Sequence, residues 1–264
     1  AAANFGIKYP KGKIRYRECE AAFDRGYAAA LGMPLDRVDF GEALETVEDL
    51  FEDLQKVIAG AKQPELYIVD SLDALSDRAE MERPMDEGTY GAAKAKNMSQ
   101  MFRRSVRAME QSRVTSMIIS QVRSKIGISF GRNTTRSGGR ALDFYASQVL
   151  YLSSGAVDYR TVRGDRRPVG LSVRGKVDKN KVSLTGREAE FQILFGYGIN
   201  DVGAALDWLK KTKLLEDVGL NSRIKDEDLA KIKRQYVSAG EPEVPAEKIA
   251  EAVNRHWRSI DERL

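Results

Sequence analysis

"LYIVDSL", Leu66–Leu72, sets four apolar residues in a row and then stops at Asp70 and Ser71. A short apolar run of this kind, without alternation, reads as a strand buried on both faces, as in a parallel sheet covered by helices on each side. The neighbouring segments support that reading. "KIRYRE" (13–18) and "TSMIIS" (115–120) are further strand-like runs, and the uncharged second, with its apolar Met117–Ile119, is expected to be buried on both of its faces. Between the runs, "EAAFDRGYAAALG" (20–32), "EALETVEDLFEDLQKVIAG" (42–60) and a segment from about 90 to 110 carry helical spacing. In the second of these, Leu44, Val47, Leu50, Phe51, Leu54 and Val57 form one stripe opposite an acidic face. Strands alternating with crossover helices predict an α/β fold with a largely parallel, twisted sheet.

Beyond residue 147 the pattern changes. "QVLYLS", "VGLSVRGKVDK" and "AEFQILF" are three strand-like runs with no helix between them, so the sheet is expected to finish with antiparallel additions. From about Asp201 the chain reads as helices, with "SAGEPEVP" as a linker. The expected division is a core over 1–200 and a small helical domain over 201–264.

Charge is segregated. Lys94 to Arg140 holds eleven Lys or Arg and one acid, Glu110, although the whole chain carries only +4. A solvated surface usually mixes its signs, so this block favours a polyanionic partner, nucleic acid first among them. No run of about 18 apolar residues occurs, the length that a membrane-spanning helix needs. The start shows no secretory core, and the single cysteine, Cys19, can form no internal disulfide. These features lead us to expect a cytoplasmic protein without a membrane partner.

The ends of the strands carry the candidate chemistry. Asp70 closes an apolar strand at the edge where ligands bind in open parallel sheets, and suits a Walker-B carboxylate that holds Mg2+ through its water shell. Gln121 follows "TSMIIS" at the same edge, where a neutral amide can sense a γ-phosphate. Glu20 or Glu18, at the end of the "KIRYRE" strand, can orient or deprotonate an attacking water. The stretch that follows Gln121, "VRSKIGISFGRNTTRSGGRALDFYAS", is cationic and glycine-punctuated. Arg123, Lys125, Arg132, Arg136 and Arg140 suit phosphates, Gly138 and Gly139 allow close backbone approach, and Ile126 or Phe130 can wedge against bases. One element is missing from the sequence: no G-x-x-x-x-G-K-[ST] occurs. "GIKYPKGKI" fails because five residues separate Gly6 from Gly12 where the motif has four, and Ile14 follows Lys13 where a hydroxyl is required.

Taken together, these stretches resemble the bacterial and phage RecA recombinases from about residue 1 to residue 200. The most specific pieces are "QVRSKIGISFGRNTTRSGGRALDFYAS", "KVDKNKV" and "EAEFQILFGYGIN", in order behind "IVDSL". The resemblance implies a RecA-like ATPase core with ATP and Mg2+ as cofactors. In it Asp70 is the Walker-B carboxylate, with Ser71 beside it. Glu20, rather than Glu18, activates water, and Asp24 and Tyr27 surround the adenine. Gln121 couples the γ-phosphate to the DNA loop, and Lys179 and Lys181 reach the phosphates of a neighbouring subunit's ATP.

The resemblance further implies DNA-binding loops over 80–91 and about 122–140, with phosphate contacts from Lys96 and Arg103. Ile126 inserts between base triplets, and Phe144 transmits the ATP state across the subunit interface. Two departures accompany it: Asp143 stands where the family has a lysine, and "AAANFGIKYPKGK" resembles the tail of the P-loop helix. We therefore expect a chain lacking the N-terminal part that holds the P-loop, and inactive as an ATPase by itself. The expected function of the intact protein is an ATP-dependent recombinase that forms filaments on single-stranded DNA and exchanges strands with a homologous duplex. A non-catalytic DNA-binding relative that modulates a recombinase is the alternative, and a hexameric helicase or clock-type ATPase on the same fold is a more distant one.

Overall fold

The computed structural model describes residues 1–84, 92–124, 134–136, 141–237 and 242–261. They fold as two compact units, Ala1–Ser147 and Gln148–Leu264.

In the first unit a short helix, α1 (Ala2–Lys8), leads through a turn into β1 (Lys13–Glu18). Then follow α2 (Arg25–Ala30), β2 (Val38–Asp39), α3 (Val47–Gly60), β3 (Glu65–Asp70), α4 (Arg78–Met81), α5 (Ala92–Gln111) and β4 (Val114–Ile118). The four strands form one sheet in the order β2-β1-β3-β4, every pair parallel. Two further short strands, β5 (Val122–Ser124) and β6 (Thr134–Arg136), pair antiparallel as a separate ribbon that frames the basic stretch, and α6 (Ala141–Tyr145) closes the unit.

The period-two geometry of β3 explains its uninterrupted apolar sequence. Tyr67 and Val69 enter one core with Leu50, Leu54 and Val57 of α3 and Met98, Met101 and Phe102 of α5. Leu66 and Ile68 enter the opposite core with Ile14, where Phe5 of α1 and Val38 also pack. Each such burial contributes about 1.5–3 kcal/mol. Helix α3 starts where it does because of a capping box: the Thr46 hydroxyl accepts from the Asp49 N–H, and the Asp49 carboxylate accepts from the Thr46 N–H, both at 3.1 Å. Gln55 on α3 donates to Ser105 on α5 at 3.0 Å, tying the two helices together.

Two expectations change here. Strand β4 is not buried on both faces: Val114 and Ile118 join the core of α3 and α5, whereas Met117 is 40% exposed, because β4 contributes nothing to the opposite core around Ile14 among the described residues. The antiparallel strands do not extend the parallel sheet either, but build one of their own.

That second sheet has the order β10-β9-β8-β7, from β7 (Gln148–Val162), β8 (Asp165–Asn180), β9 (Glu188–Leu194) and β10 (Gly198–Asn200). It shares its unit with α7 (Asp201–Lys211), α8 (Asp226–Gln235) and α9 (Ala246–Asp261). Leu206, Leu209, Leu215, Leu229 and Ile249 centre the helical core. Asn200 caps α7 by accepting from the Gly203 N–H at 3.0 Å. A Cβ at position 203 would lie 2.4 Å from that Asn side chain, so any other residue there requires the Asn200 amide to shift. The compositional change at residue 200 falls between β10 and α7, inside this unit.

Candidate functional site

The site lies at the carboxyl edge of the parallel sheet. Strands β1 and β3 stay in register to their ends, where Glu18 stands opposite Asp70. Past β1 the chain turns through Ala21, whose φ of 54° is left-handed. The Glu18 carboxylate holds this turn by accepting the N–H groups of Glu20 at 2.9 Å and Ala22 at 3.0 Å. Glu18 is thus occupied with the backbone, and the turn aims Glu20 across the sheet. Oε1 of Glu20 accepts from the Ser71 hydroxyl, just past β3, and from Nε2 of Gln121, just past β4, at 3.0 Å. Segments that follow three parallel strands therefore meet on one carboxylate oxygen.

Asp70 accepts from the Tyr16 hydroxyl. Burial pushes the Tyr16 phenol well above its ordinary value, and the bond to Asp70 adds to the shift, so Tyr16 is a neutral donor throughout the physiological range. Tyr16→Phe is expected to cost about 1.5 kcal/mol, the lower end for a hydrogen bond to a charged group. Chemical denaturation checks this, and an unchanged midpoint rejects the bond.

A cavity of about 420 Å3 opens beside these groups, lined among others by Tyr16, Glu18, Glu20, Asp24, Tyr27 and Asp70. Asp24 caps α2 by accepting from the Tyr27 N–H at 2.9 Å, which presents the Tyr27 ring, 41% exposed, at the cavity wall. A larger cavity of about 550 Å3 lies among Arg15, Arg17, Asp39, Asp49, Glu52 and Asp53 and holds none of the candidate residues. Its charges pair in part with one another, as in Arg17 with Asp53 and Arg15 with Asp39, so we assign the candidate site to the smaller cavity, where the strand ends converge.

The cavity volume falls in the range of small-molecule sites, and Tyr27 offers a face on which a base can stack. Among the described residues no group of three or more His, Cys, Asp or Glu could enclose a metal. A single carboxylate such as Asp70 fits Mg2+ that keeps most of its waters. The sequence supplies no P-loop cradle for the phosphates of a nucleotide.

The remaining candidates fall elsewhere. Lys96 and Arg103 are exposed on α5, whose opposite face carries Met98, Met101 and Phe102 into the core. Phe144 on α6 is 71% exposed and meets Tyr145 edge-on. Lys179 and Lys181 belong to the second unit; partial burial, and then the neighbouring charge of Lys181, hold the Lys179 ammonium below the usual lysine range. Lys125, Ile126, Gly138, Gly139 and Arg140 lie outside the described residues, as do 85–91 of the first loop. Arg123 and Arg136 are described in backbone only, where they sit on β5 and β6.

Sequence reading missed two participants. Tyr16 alternates with Ile14 and Glu18 on β1, a pattern that signals a shared face but not a hydroxyl aimed at Asp70. Asp73 accepts from the Gln121 N–H at 2.7 Å; its only trace in the sequence is a second acid three residues after Asp70.

The fold is that of an α/β protein, and its candidate site stands at the carboxyl edge of the parallel sheet, where the doubly wound nucleotide-binding folds bind their ligands. More narrowly, the chain belongs to the RecA family: the RecA N-terminal domain matches residues 6–200. It is 39% identical over 202 residues to protein RecA of Streptomyces ambofaciens, covering 74% of this chain and 51% of that protein. The same identity holds with protein RecA of Streptomyces coelicolor, over 50% of that protein. The chain thus spans about half the length of the curated relatives it matches. A crystal structure of the RadB recombinase is similar at a TM-score of 0.47 and 16% identity, over 71% of this chain and 77% of that one; no residue correspondence follows at that level.

Proposed function

We propose that this chain is the part of an ATP-dependent homologous recombinase that couples nucleotide state to DNA binding. The observation that carries the proposal is the meeting of Ser71 and Gln121 on Glu20, beside a cavity that also contains Asp24, Tyr27 and Asp70. In this reading Tyr27 stacks on the adenine, and Asp70 orients the hydration shell of Mg2+. The metal, when bound with ATP, supplies charge neutralisation for the phosphates. Glu20 takes a proton from the attacking water, and Gln121 exchanges its bond with Glu20 for one to the γ-phosphate. That exchange repositions the basic stretch that begins two residues later. Lys179 and Lys181 act on a neighbouring copy's nucleotide, so turnover depends on filament assembly, and Phe144 lies at that interface. Single-stranded DNA and a homologous duplex are the partners.

Binding of labelled oligo(dT) to the 264-residue chain tests the DNA half of the proposal. Each lost phosphate contact on a single strand lowers the slope of log K against log salt by about 0.7. The Lys96→Ala, Arg103→Ala double variant is therefore expected to lose about 1.4 from that slope and to bind several-fold more weakly at low salt. Unchanged affinity and slope reject these contacts. A non-catalytic DNA-binding relative is the second reading. It shares the DNA prediction but gives Glu20 no role.

A further inference from the structure

We propose that Asp73 and Lys94 are positioning residues that set Gln121 against Glu20 through the turn after β3. The inference rests on the role proposed for Gln121 and adds the device that places it. The single 3-10 turn Leu72–Ala74 follows Ser71 directly and is fixed from four directions. Ser71 donates to Glu20. The Leu72 N–H donates to the Ile119 carbonyl at 3.0 Å. The Asp73 carboxylate accepts from the Gln121 N–H at 2.7 Å. From α5, the Lys94 ammonium donates to the Leu72 carbonyl at 3.1 Å and to the Leu75 carbonyl.

Where an acid in the first turn of a helix is used by the backbone it commonly bonds a nearby N–H, as Asp49 does to Thr46 at the start of α3. Asp73 instead reaches a backbone 48 residues away in sequence. Its other oxygen, Oδ1, is buried with no hydrogen-bond partner, as is the hydroxyl of Ser120 next to Gln121. Leaving a buried polar atom unsatisfied costs about 1–3 kcal/mol, so this geometry is retained against a local penalty. Lys94 is also unusual, as a lysine only 8% exposed that spends its donors on backbone carbonyls. Leu72 and Leu75 are fully buried, so the turn cannot shift without disturbing the core. The turn therefore joins the Glu20 edge, the end of β4 and α5 in one rigid piece. Because α5 also carries Lys96 and Arg103, this is a second connection from the nucleotide edge to DNA, independent of the loop after Gln121.

The side-chain NH2 resonances of Gln121 in the 264-residue chain, recorded without DNA or nucleotide, test the proposal. Glu20→Ala removes the acceptor and gives the reference shift for a released amide. Asp73→Ala is expected to move the Gln121 resonances to that same position and to speed exchange of its backbone amide at least tenfold, with core amides such as Leu50 unchanged. Asp73→Asn keeps an acceptor oxygen and is expected to restore both signals, and Lys94→Met to reproduce the shift in part. Should Asp73→Ala fail to fold, Asp73→Ser, polar but too short to reach, replaces it. Gln121 signals that move in Glu20→Ala yet stay in place in the Asp73 variant overturn the inference, as does loss of protection throughout the unit. Failure to bind oligo(dT) rejects the proposed function and leaves this result standing.

Discussion

Glu20→Gln is expected to lower ATP turnover by about 10²–10⁴-fold, the worth of a positioned general base, while DNA binding persists. The measurement needs a polypeptide or complex in which residues 1–264 are joined to a G-x-x-x-x-G-K-[ST] loop, and the chain by itself is expected to show no turnover. The substitution is clean because glutamine keeps an oxygen that can accept from Ser71 and from Gln121, so the bonds at this edge survive and only the proton acceptor is lost. Glu18→Gln is the control. Glu18 accepts two backbone N–H groups, which the amide oxygen of glutamine can still serve, so its effect is expected to stay within about threefold. Wild-type turnover in Glu20→Gln sinks the assignment, and a large loss in Glu18→Gln transfers it to the other acid.

Arg17→Ala is expected to cost about 3–5 kcal/mol, the usual consequence of removing one partner from a buried ion pair. That corresponds to a fall in Tm of roughly 10 °C or more. The Arg17 side chain is 2% exposed and grips both oxygens of Asp53, at 2.6 and 3.2 Å. A third donor reaches the Asp39 carbonyl at 3.0 Å, and the guanidinium lies 5.5 Å from the centre of the Tyr67 ring. Tyr67 donates to the same Asp53 carboxylate at 2.6 Å, and burial, then that bond, push its phenol far above the ordinary value. Removing Arg17 leaves a carboxylate in partly desolvated surroundings with a single donor. Arg17→Met combined with Asp53→Asn removes both charges, keeps an acceptor for Tyr67, and is expected to recover most of the loss. A loss below about 1 kcal/mol in Arg17→Ala shows that the pair is solvated and the packing looser than described.

The α/β character and the strand ends that meet at the candidate site were legible because they depend on short-range patterns. "LYIVDSL" encodes a strand covered on both faces, and the polar residues that end the apolar runs mark the sheet edge whatever the strand order. Glu20 and Glu18 were not separable from alternation alone; the left-handed Ala21 and the two N–H groups bound by Glu18 separate them in space. The burial of β4 was overestimated because composition reports what a strand can bury, while exposure depends on whether another element covers each of its faces. The antiparallel runs were read correctly as strands but assigned to the wrong sheet, since nothing local to Gln148–Leu194 states which edge they join. Asp73 and Lys94 escaped notice because an acid in a turn and a lysine on a basic helix are ordinary until their partners are known.

The two sheets also differ in how the chain must find them. In the second unit Val162 pairs across a tight hairpin with Asp165, so pairing starts locally. In the first, Ile14 must find Leu66, and Leu66 must find Thr115, across long intervening loops whose closure slows folding. At roughly 5–20 residues per second of synthesis, Leu66–Val69 waits several seconds for β4 to be made. During that wait β3 has β1 on one side but an open apolar edge on the other, so the first half of the chain, rather than its helical end, is the half whose yield depends on chaperones and on expression temperature.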